Sequence, residues 1–557
     1  MPERTNPAGP KSWVPTLLLL TMLATFSYLV VRTILFLITE GFWYERLIAG
    51  ALLAAEAFFI FNCLGYFANV WRSWGGRAQP LPSEELPELE EYPPIAIVVS
   101  SYKEPLEVVE ANLICFRNLT YPNKHIYFLD DTRYELAKDN AEEMQQYRSS
   151  IDELCRRIGV NLFRRRWHGA KAGMINDFLE FIEGRPPEGF KFDHLQTTST
   201  PGQEKYIAIF DADMNPLPDF AEWLVQIMEK NDKIAFVQTP QYYSNFEKNR
   251  VARAAGLQQV IFYEYICEGK SAQDAMFCCG TNVMFRRRAL VEVGGFDESS
   301  VTEDFATSVK FHTRGWSSAY LNRICAFGMG PQDLGGYFKQ QFRWALGTSG
   351  LFRPLVQTFV RNPRLMPPTK WIEYLLSCSY YFIGWAFLVL LLCPVIYLFF
   401  DTPRYFAHPS IFFLFFVPYL FLTTLLFLNT LHSRSYRRRD IYTGLLLANV
   451  SFPVFMKASL LGFAGVRGKF GITPKSGSTA LPIRALWVQV LTMTIALAAA
   501  VWGLNRVYYA RYPVLSLLMN SFWCLYNFGL LSTVFYFNQA EETTPEPSEP
   551  ALLTISK

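Results

Sequence analysis

The chain has 557 residues, of which 51% are hydrophobic, 16% are aromatic (48 of them Phe) and 18% are charged. That charged share is low against the roughly 25% of an ordinary soluble domain, so a wholly soluble protein is excluded and a mixed membrane and soluble chain is expected. A formal net charge of +3 is too small to point to nucleic acid, and ten cysteines without a CxxC pair give neither a disulfide framework nor a zinc site.

A membrane-spanning helix needs about 20 mostly apolar residues. Residues 13–38 satisfy this with one internal charge, Arg32, and residues 47–70 satisfy it with Glu56 inside. The first run is longer than a signal-peptide core and lacks a small-residue cleavage pattern, so it reads as a retained span. Residues 1–92 are therefore expected to hold two transmembrane helices.

From 93 to 350 the character changes. "PPIAIVVSSY", "HIYFLDD", "KYIAIFDAD" and "KIAFVQTP" read as buried parallel strands, with helical stretches at 136–158 and 218–230 between them. Strands alternating with helices predict an α/β domain with a mostly parallel sheet, whose ligands sit at the carboxyl ends of the strands. Three of these strands end in polar clusters: "SYKE", "DDTR" and "DADMN".

Residues 351–366 ("LFRPLVQTFVRNPRLM") place Leu355, Val356, Phe359 and Val360 on one helical face with basic residues elsewhere, the pattern of an interfacial helix. Further spans are expected at 372–400, 410–431, 485–504 and 514–537. Residues 441–464 are interrupted by Pro453 and Lys457 and are expected to lie in the interface. The basic stretches "WRSWGGR" and "HSRSYRRRD" put the soluble domain and both termini in the cytosol, with 401–410 outside. The acidic, Pro-containing tail, 541–557, is expected to be disordered.

The chemistry lies in four short motifs. Asp211 and Asp213 in "FDAD" form a carboxylate pair at a strand end, suited to a hard divalent cation that bridges phosphates. Taken alone, such a pair is most often an acidic turn. Glu303 and Asp304 in "VTEDF" offer a general base, or simply charges at a helix start. In "QQFRW", Arg343 brings a planar fork of donors for phosphate. Trp344 brings a flat face for a sugar ring, and Gln340 shares their helical face; an interfacial Arg-Trp anchor is the plainer reading. Polar groups within spans, Arg32, Glu56 and Asn527, and the aromatics Tyr380, Tyr381 and Trp385 would line a path across the membrane or pack between helices.

The order Asp130-Asp131, Asp211/Asp213, Glu303-Asp304, Gln340…Arg343-Trp344 resembles the D, DxD, TED, QxxRW pattern of processive membrane family-2 glycosyltransferases, the group of cellulose, chitin and hyaluronan synthases. It is most similar to bacterial cellulose synthase catalytic subunits. "AKAGMIN" (170–176), "FVQTP" (236–240), "FCCGTNVMFRRRAL" (277–290), "GGFDE" (294–298), "TEDFATSVKFHTRGW" (302–316) and "FGITPK" (470–475) all match family segments.

The resemblance implies an α/β GT-A-like cytosolic glycosyltransferase domain (93–350) inserted in an α-helical transmembrane bundle of about six spans plus interfacial helices. The region 351–540 would hold the interfacial helices, four spans and a gating loop at about 466–480. The implied activity is a processive, inverting transfer of glucose from UDP-glucose into a β-1,4-glucan, which crosses the bacterial plasma membrane through the same chain. Alternatives on this scaffold are a β-1,3 or mixed-linkage glucan synthase, a chitin- or hyaluronan-type synthase, or a non-processive enzyme acting on a lipid acceptor. Partners would be UDP-glucose, the growing glucan, membrane lipid and accessory envelope subunits, with no nucleic acid.

By the same resemblance Tyr102, Glu104, Asp130 and Asp131 would hold the uridine, and Lys171 would approach the phosphates. Asp211 would hold the nucleotide-sugar, and Asp213, with Asp211, would ligate Mg2+ or Mn2+. Asp304, with Glu303 beside it, would be the catalytic base. Gln340 and Arg343 would contact the pyrophosphate. Trp344, Cys279 and Gly280 would meet the acceptor, and Phe470, Thr473 and Lys475 would belong to the loop that closes over the donor. The family often reads DDG where this chain has Asp131, Thr132 and Arg133. "TPQYY" (239–243) and Cys278 also depart from it, close to the expected acceptor site.

Overall fold

The computed structural model describes residues 13–38, 40–74, 88–134, 141–402, 409–434, 436–466, 479–509 and 514–540. Phe470, Thr473 and Lys475 of the expected gating loop, and the acidic tail, lie outside the described residues.

Among the described residues eleven strands form the α/β unit. They are β1 (Ile95–Ser101), β2 (Lys124–Asp130), β3 (Asn161–Arg164), β4 (Lys191–Asp193), β5 (Tyr206–Asp211), β6 (Met214–Pro216), β7 (Ile234–Gln238), β8 (Tyr242–Tyr243), β9 (Val283–Arg286), β10 (Ser317–Tyr320) and β11 (Ala326–Gly328). Eight make one sheet in the order β10-β7-β9-β5-β1-β2-β3-β4, and β6-β11-β8 make a smaller one. The continuous apolar runs read from the sequence are buried on both faces. In β1, Ile95, Ile97 and Val99 enter one core while Ala96 and Val98 enter the other. That split follows from the two-residue period of a strand, and each fully buried Ile or Val contributes about 1.5–3 kcal/mol. The Phe220–Lys230 helix covers the first core with Phe220, Trp223, Leu224 and Met228.

Register places the site. β1 pairs in parallel with β2, ending at Ser101 opposite Asp130, and with β5, ending at Ser100 opposite Asp211. The three polar strand ends therefore finish level at one edge of the sheet. The expected run of parallel strands is interrupted at one point. β7 does not lie beside β5; β9 runs antiparallel between them. β9 is four residues long and closes on Arg286, a residue rarely buried. Here Arg286 donates to the carbonyls of Ile234, Met228 and Asn231, which satisfies its charge inside the fold.

Among the described residues six helices are long and apolar enough to cross a membrane, or up to seven if the bent pair Arg438–Val450 and Phe452–Phe463 forms one span. They are Val14–Ile38, Trp43–Trp74, Pro368–Phe400, Phe413–Ser433, Ile483–Tyr509 and Val514–Phe537, close to the spans expected from the sequence. The bent pair turns by 53° at Ser451, next to Pro453, which lacks the N–H a continuous helix would use. Phe352–Arg361 buries only Leu355 and leaves Phe359 and Val360 exposed, as an interfacial helix would. It stops before Pro363 rather than running to 366.

Two features tie the helices together and to the sheet unit. Arg32 Nε donates to Glu56 Oε2 at 2.7 Å, and Tyr28 joins the same carboxylate at 2.9 Å, so the charges of the first two spans meet each other. At the junction with the α/β unit, Lys270 donates to Glu373 at 2.8 Å, Arg72 reaches the same carboxylate, and Arg434 pairs with Glu268 at 2.7 Å. Glu56→Ala removes the carboxylate partner of the buried Arg32 and is expected to cost about 3 kcal/mol, whereas the double change R32M/E56M recovers most of it. Thermal unfolding in detergent measures both. A double variant no more stable than Glu56→Ala would show that the pair does not act as a unit.

Candidate active site

A cavity of about 440 Å3 opens at the level strand ends, lined by Tyr102, Glu104, Asp131, Lys171, Asp211, Asp213, Cys279, Gly280, Glu303, Asp304, Gln340, Arg343 and Trp344. These residues lie far apart in the chain, and the fold brings them to one place. Asp130 does not line the cavity. Its carboxylate accepts from Arg164 Nε at 2.7 Å, Tyr134 Oη at 2.6 Å and Thr132 N at 3.2 Å, all beneath the surface. Of the expected pair, Asp131 faces the opening, and Asp130 holds the turn that carries it.

The turn after β2 is electrostatically tight. Asp131 lies 3.3 Å from Arg165 Nη2. Burial pushes its carboxyl up to about 6, against the pull of Arg165 and Arg133. Arg165 in turn pairs with Asp177 at 3.0 Å, and Asp177 with His168 at 2.8 Å. This network sits at the start of the Ala170–Ile182 helix, which Gly169 enters with φ +59°.

Lys171 is the second residue of that helix. Its amine donates to the Asp211 carboxylate and, at 2.8 Å, to the Gly280 carbonyl. Burial opposes its charge, but Asp211, with Glu303 and Asp304, outweighs burial and holds it above the ordinary lysine value. Asp211 N donates to Thr281 Oγ1 at 2.9 Å, fixing β5 to the 278–282 loop. That loop is pinned by Gln238, which accepts from Cys279 N at 2.8 Å, and by Gln241, which donates to Cys279 O at 2.9 Å. Cys278 is buried below it with its N–H donating to Ser308. Gly280 has φ +83°, and a Cβ there would meet Asp304 Oδ2 at 3.0 Å, so glycine lets the loop pass close to that carboxylate.

Glu303 and Asp304 occupy the first turn of the Glu303–Thr313 helix, where the helix dipole favours negative charge. Asp304 Oδ1 accepts from Phe305 N at 2.8 Å. Burial first, and Glu303 second, nevertheless raise the Asp304 carboxyl to about 7. Burial raises Glu303 as well, with Lys171 and Arg343 opposing.

The Leu334–Gly350 helix supplies the last wall. Asp333 caps it, accepting from Gly336 N at 2.7 Å. Gln340, Arg343 and Trp344 share the face toward the cavity, while Phe342, Ala345 and Leu346 pack on Phe455 and Ala458 of the Phe452–Phe463 helix. Two glycines set its depth. A Cβ on Gly347 would overlap Thr302, and one on Gly462 would overlap the Leu346 carbonyl. Gln340 Oε1 is buried without a hydrogen-bond partner among the described residues.

Asp211 and Asp213 fit a hard divalent cation in donor type, as oxygen ligands at the cavity wall. No cluster of three or more His, Cys, Asp or Glu ligands occurs among the described residues, so phosphate oxygens of a bound donor would have to complete the shell.

Lining residues not singled out from the sequence include Thr281, Thr302 and the segment Met329–Gln332. The "GMGPQ" stretch between β11 and the Leu334–Gly350 helix was the available signal for the last of these. Gln241 and Tyr243, from the departing "TPQYY", also line the cavity.

Residues 96–294 match the glycosyl transferase family 2 domain, and residues 206–428 match glycosyl transferase family group 2. The chain is 27% identical over 97% of its length to the cellulose synthase catalytic subunit (UDP-forming) of Pseudomonas fluorescens, of which it covers 69%. It is 26% identical, again over 97% of its length, to a putative cellulose synthase 2 of Komagataeibacter xylinus, of which it spans 34%. Among solved structures, the mannosyltransferase PcManGT of Pyrobaculum calidifontis, in complex with GDP-Man and Mn2+, overlaps 74% of this chain and 98% of its own at 15% identity and a TM-score of 0.48, too loose a fit to add weight. With four motifs converging on one cavity beside a set of helices long and apolar enough to span a membrane, the chain carries matches to glycosyl transferase family 2 and is similar along nearly its whole length to cellulose synthase catalytic subunits.

Proposed function

We propose that the chain polymerises glucose from UDP-glucose into a β-glucan, with β-1,4 linkage, and passes the product through its own helices. The observation that carries this is the Asp304 carboxylate sharing one cavity with Arg343 and Trp344, into which Asp211 and Asp213 also open. The printed name of the Pseudomonas relative supports a UDP-forming transfer. Basic stretches beside the spans support a plasma-membrane location with the α/β unit and both termini in the cytosol.

Each residue has a task in a single in-line displacement, which inverts an α-linked donor to a β-product. Tyr102, Glu104 and Asp131 would hold the nucleoside at the ends of β1 and β2. Lys171 and Arg343, with Gln340, would neutralise the diphosphate, the largest electrostatic demand of the step. Asp211 and Asp213 would hold Mg2+ or Mn2+, which when bound stabilises the leaving diphosphate. Trp344 would stack on the acceptor sugar beside Cys279 and Gly280, and Asp304 would accept the proton of its attacking hydroxyl. One base suffices, unlike the carboxyl pair of a glycosidase.

Purified chain in nanodiscs, given labelled UDP-sugars with Mg2+ or Mn2+, is expected to make polymer from UDP-glucose that a β-1,4-specific glucanase digests. Digestion only by a β-1,3-specific enzyme would reassign the linkage, and absence of polymer from every UDP-sugar would reject the synthase reading. Asp304→Asn is expected to lower transfer by about 10²–10⁴-fold while UDP still binds; an active variant removes Asp304 as base.

The carboxyl of Asp304, raised to about 7, must be ionised to accept a proton. Hence kcat/KM should rise with pH through neutrality and fall as acid protonates it, and a profile flat across that region would contradict the assignment. Gly280→Ala adds strain at φ +83° and crowds Asp304. Transfer should slow on the order of 10²-fold with UDP binding kept, as filter binding and product assays on one preparation would reveal.

A further inference from the structure

One residue that lines the cavity, Arg133, has no task in the chemistry above. Arg133 lies in the turn after β2 with its guanidinium carbon 3.8 Å from the centre of the Trp167 ring and 5.1 Å from that of Tyr102. Tyr102 and Arg133 line the cavity, and Trp167, 39% exposed, backs the stack from outside. Arg133 Nε is buried and has no hydrogen-bond partner among the described residues. Two residues earlier, Asp131 lines the same cavity, steadied by Arg165 at 3.3 Å.

A guanidinium stacked on a ring donates through its edge. Stacking alone would account for Arg133 as a brace of the turn. It would not account for a buried donor left without an acceptor, which ordinarily costs stability. The turn therefore brings an acceptor, Asp131, and an unpaired donor, Arg133 Nε, to the wall of one cavity.

We propose that Arg133 is a specificity-determining residue that, with Asp131, reads the base of the nucleotide donor. The Asp131 carboxylate accepts from the imide N–H of the base, and the Arg133 edge donates to the carbonyl oxygen next to it. Uracil offers that pair. Cytosine puts an acceptor nitrogen where the N–H would be and an amino group in place of one carbonyl, so acceptor meets acceptor and donor meets donor. Such a site rejects the mismatched base because its own buried polar groups then go unpaired. The inference rests on the donor being a nucleoside diphosphate, as proposed above, and adds the residue that selects its base.

Calorimetric titration of UDP and CDP into the full-length protein in detergent with Mg2+, for the wild type, Arg133→Ala and Arg133→Lys, tests it. The wild type should prefer UDP. Arg133→Ala should weaken UDP about tenfold, the loss of one charge-assisted hydrogen bond, and bring the UDP-to-CDP ratio toward one. Arg133→Lys keeps the charge without the planar fork and should not restore the ratio; it carries the comparison if melting curves show the alanine variant unfolded. A wild type that binds UDP and CDP alike, UDP affinity unchanged in both variants, or a lysine variant with the wild-type ratio would each overturn the assignment and leave the donor site standing. Failure of the wild type to bind any nucleoside diphosphate would overturn the donor reading with it.

Discussion

The Leu334–Gly350 helix is held at a depth that no extra methyl group would allow. Thr302 presses on it at Gly347, and Gly462 of the Phe452–Phe463 helix presses on the carbonyl of Leu346. Close-packed interiors do not absorb such additions without displacement. One rigid element thus touches the start of the Glu303–Thr313 helix on one side and the membrane-associated helices on the other. Arg343 and Trp344 inherit their positions from that contact. The cavity could not hold Asp304 and Trp344 in the same space if either glycine contact were looser.

The junction between the two halves uses charge where apolar packing might be expected. Glu373 takes both Lys270 and Arg72, and Glu268 takes Arg434. Desolvated ion pairs of this kind are weak sources of stability but are severe when one partner is missing. They act as a register: only one seating of the α/β unit on the helices leaves every charge matched. Inside the bundle, Arg32 and Glu56 follow the same rule, which favours helix pairing over a polymer lining for those two residues.

Much of this was legible in the sequence, because carboxylates at strand ends and helix starts are local features. Periodicity locates the strand end and helix start that carry Asp211, Asp213, Glu303 and Asp304, and the order of the four motifs singles them out. What was not legible depends on long-range partners. Asp130 and Asp131 look equivalent in sequence, yet Arg164 draws Asp130 inward and leaves Asp131 at the opening. β9 hides behind a run of arginines, because nothing in the chain announces that three backbone carbonyls will satisfy Arg286. Arg133 could be seen as a departure from a common pattern, but its place between Tyr102 and Trp167 depends on a turn in contact with a segment about thirty residues away.

The level ends of β1, β2 and β5 have a consequence for biosynthesis. Parallel pairing of β1 with β5 joins segments far apart in the chain, and such non-local contacts form late. The last wall of the cavity is later still, since the Leu334–Gly350 helix is seated by Gly462, a residue translated after four of the six candidate spans. A nascent chain therefore has its carboxylates long before it has a closed cavity. The geometry makes the seating of the Phe452–Phe463 helix a precondition of a closed cavity, so a partly made copy holds its carboxylates without the wall that carries Arg343 and Trp344.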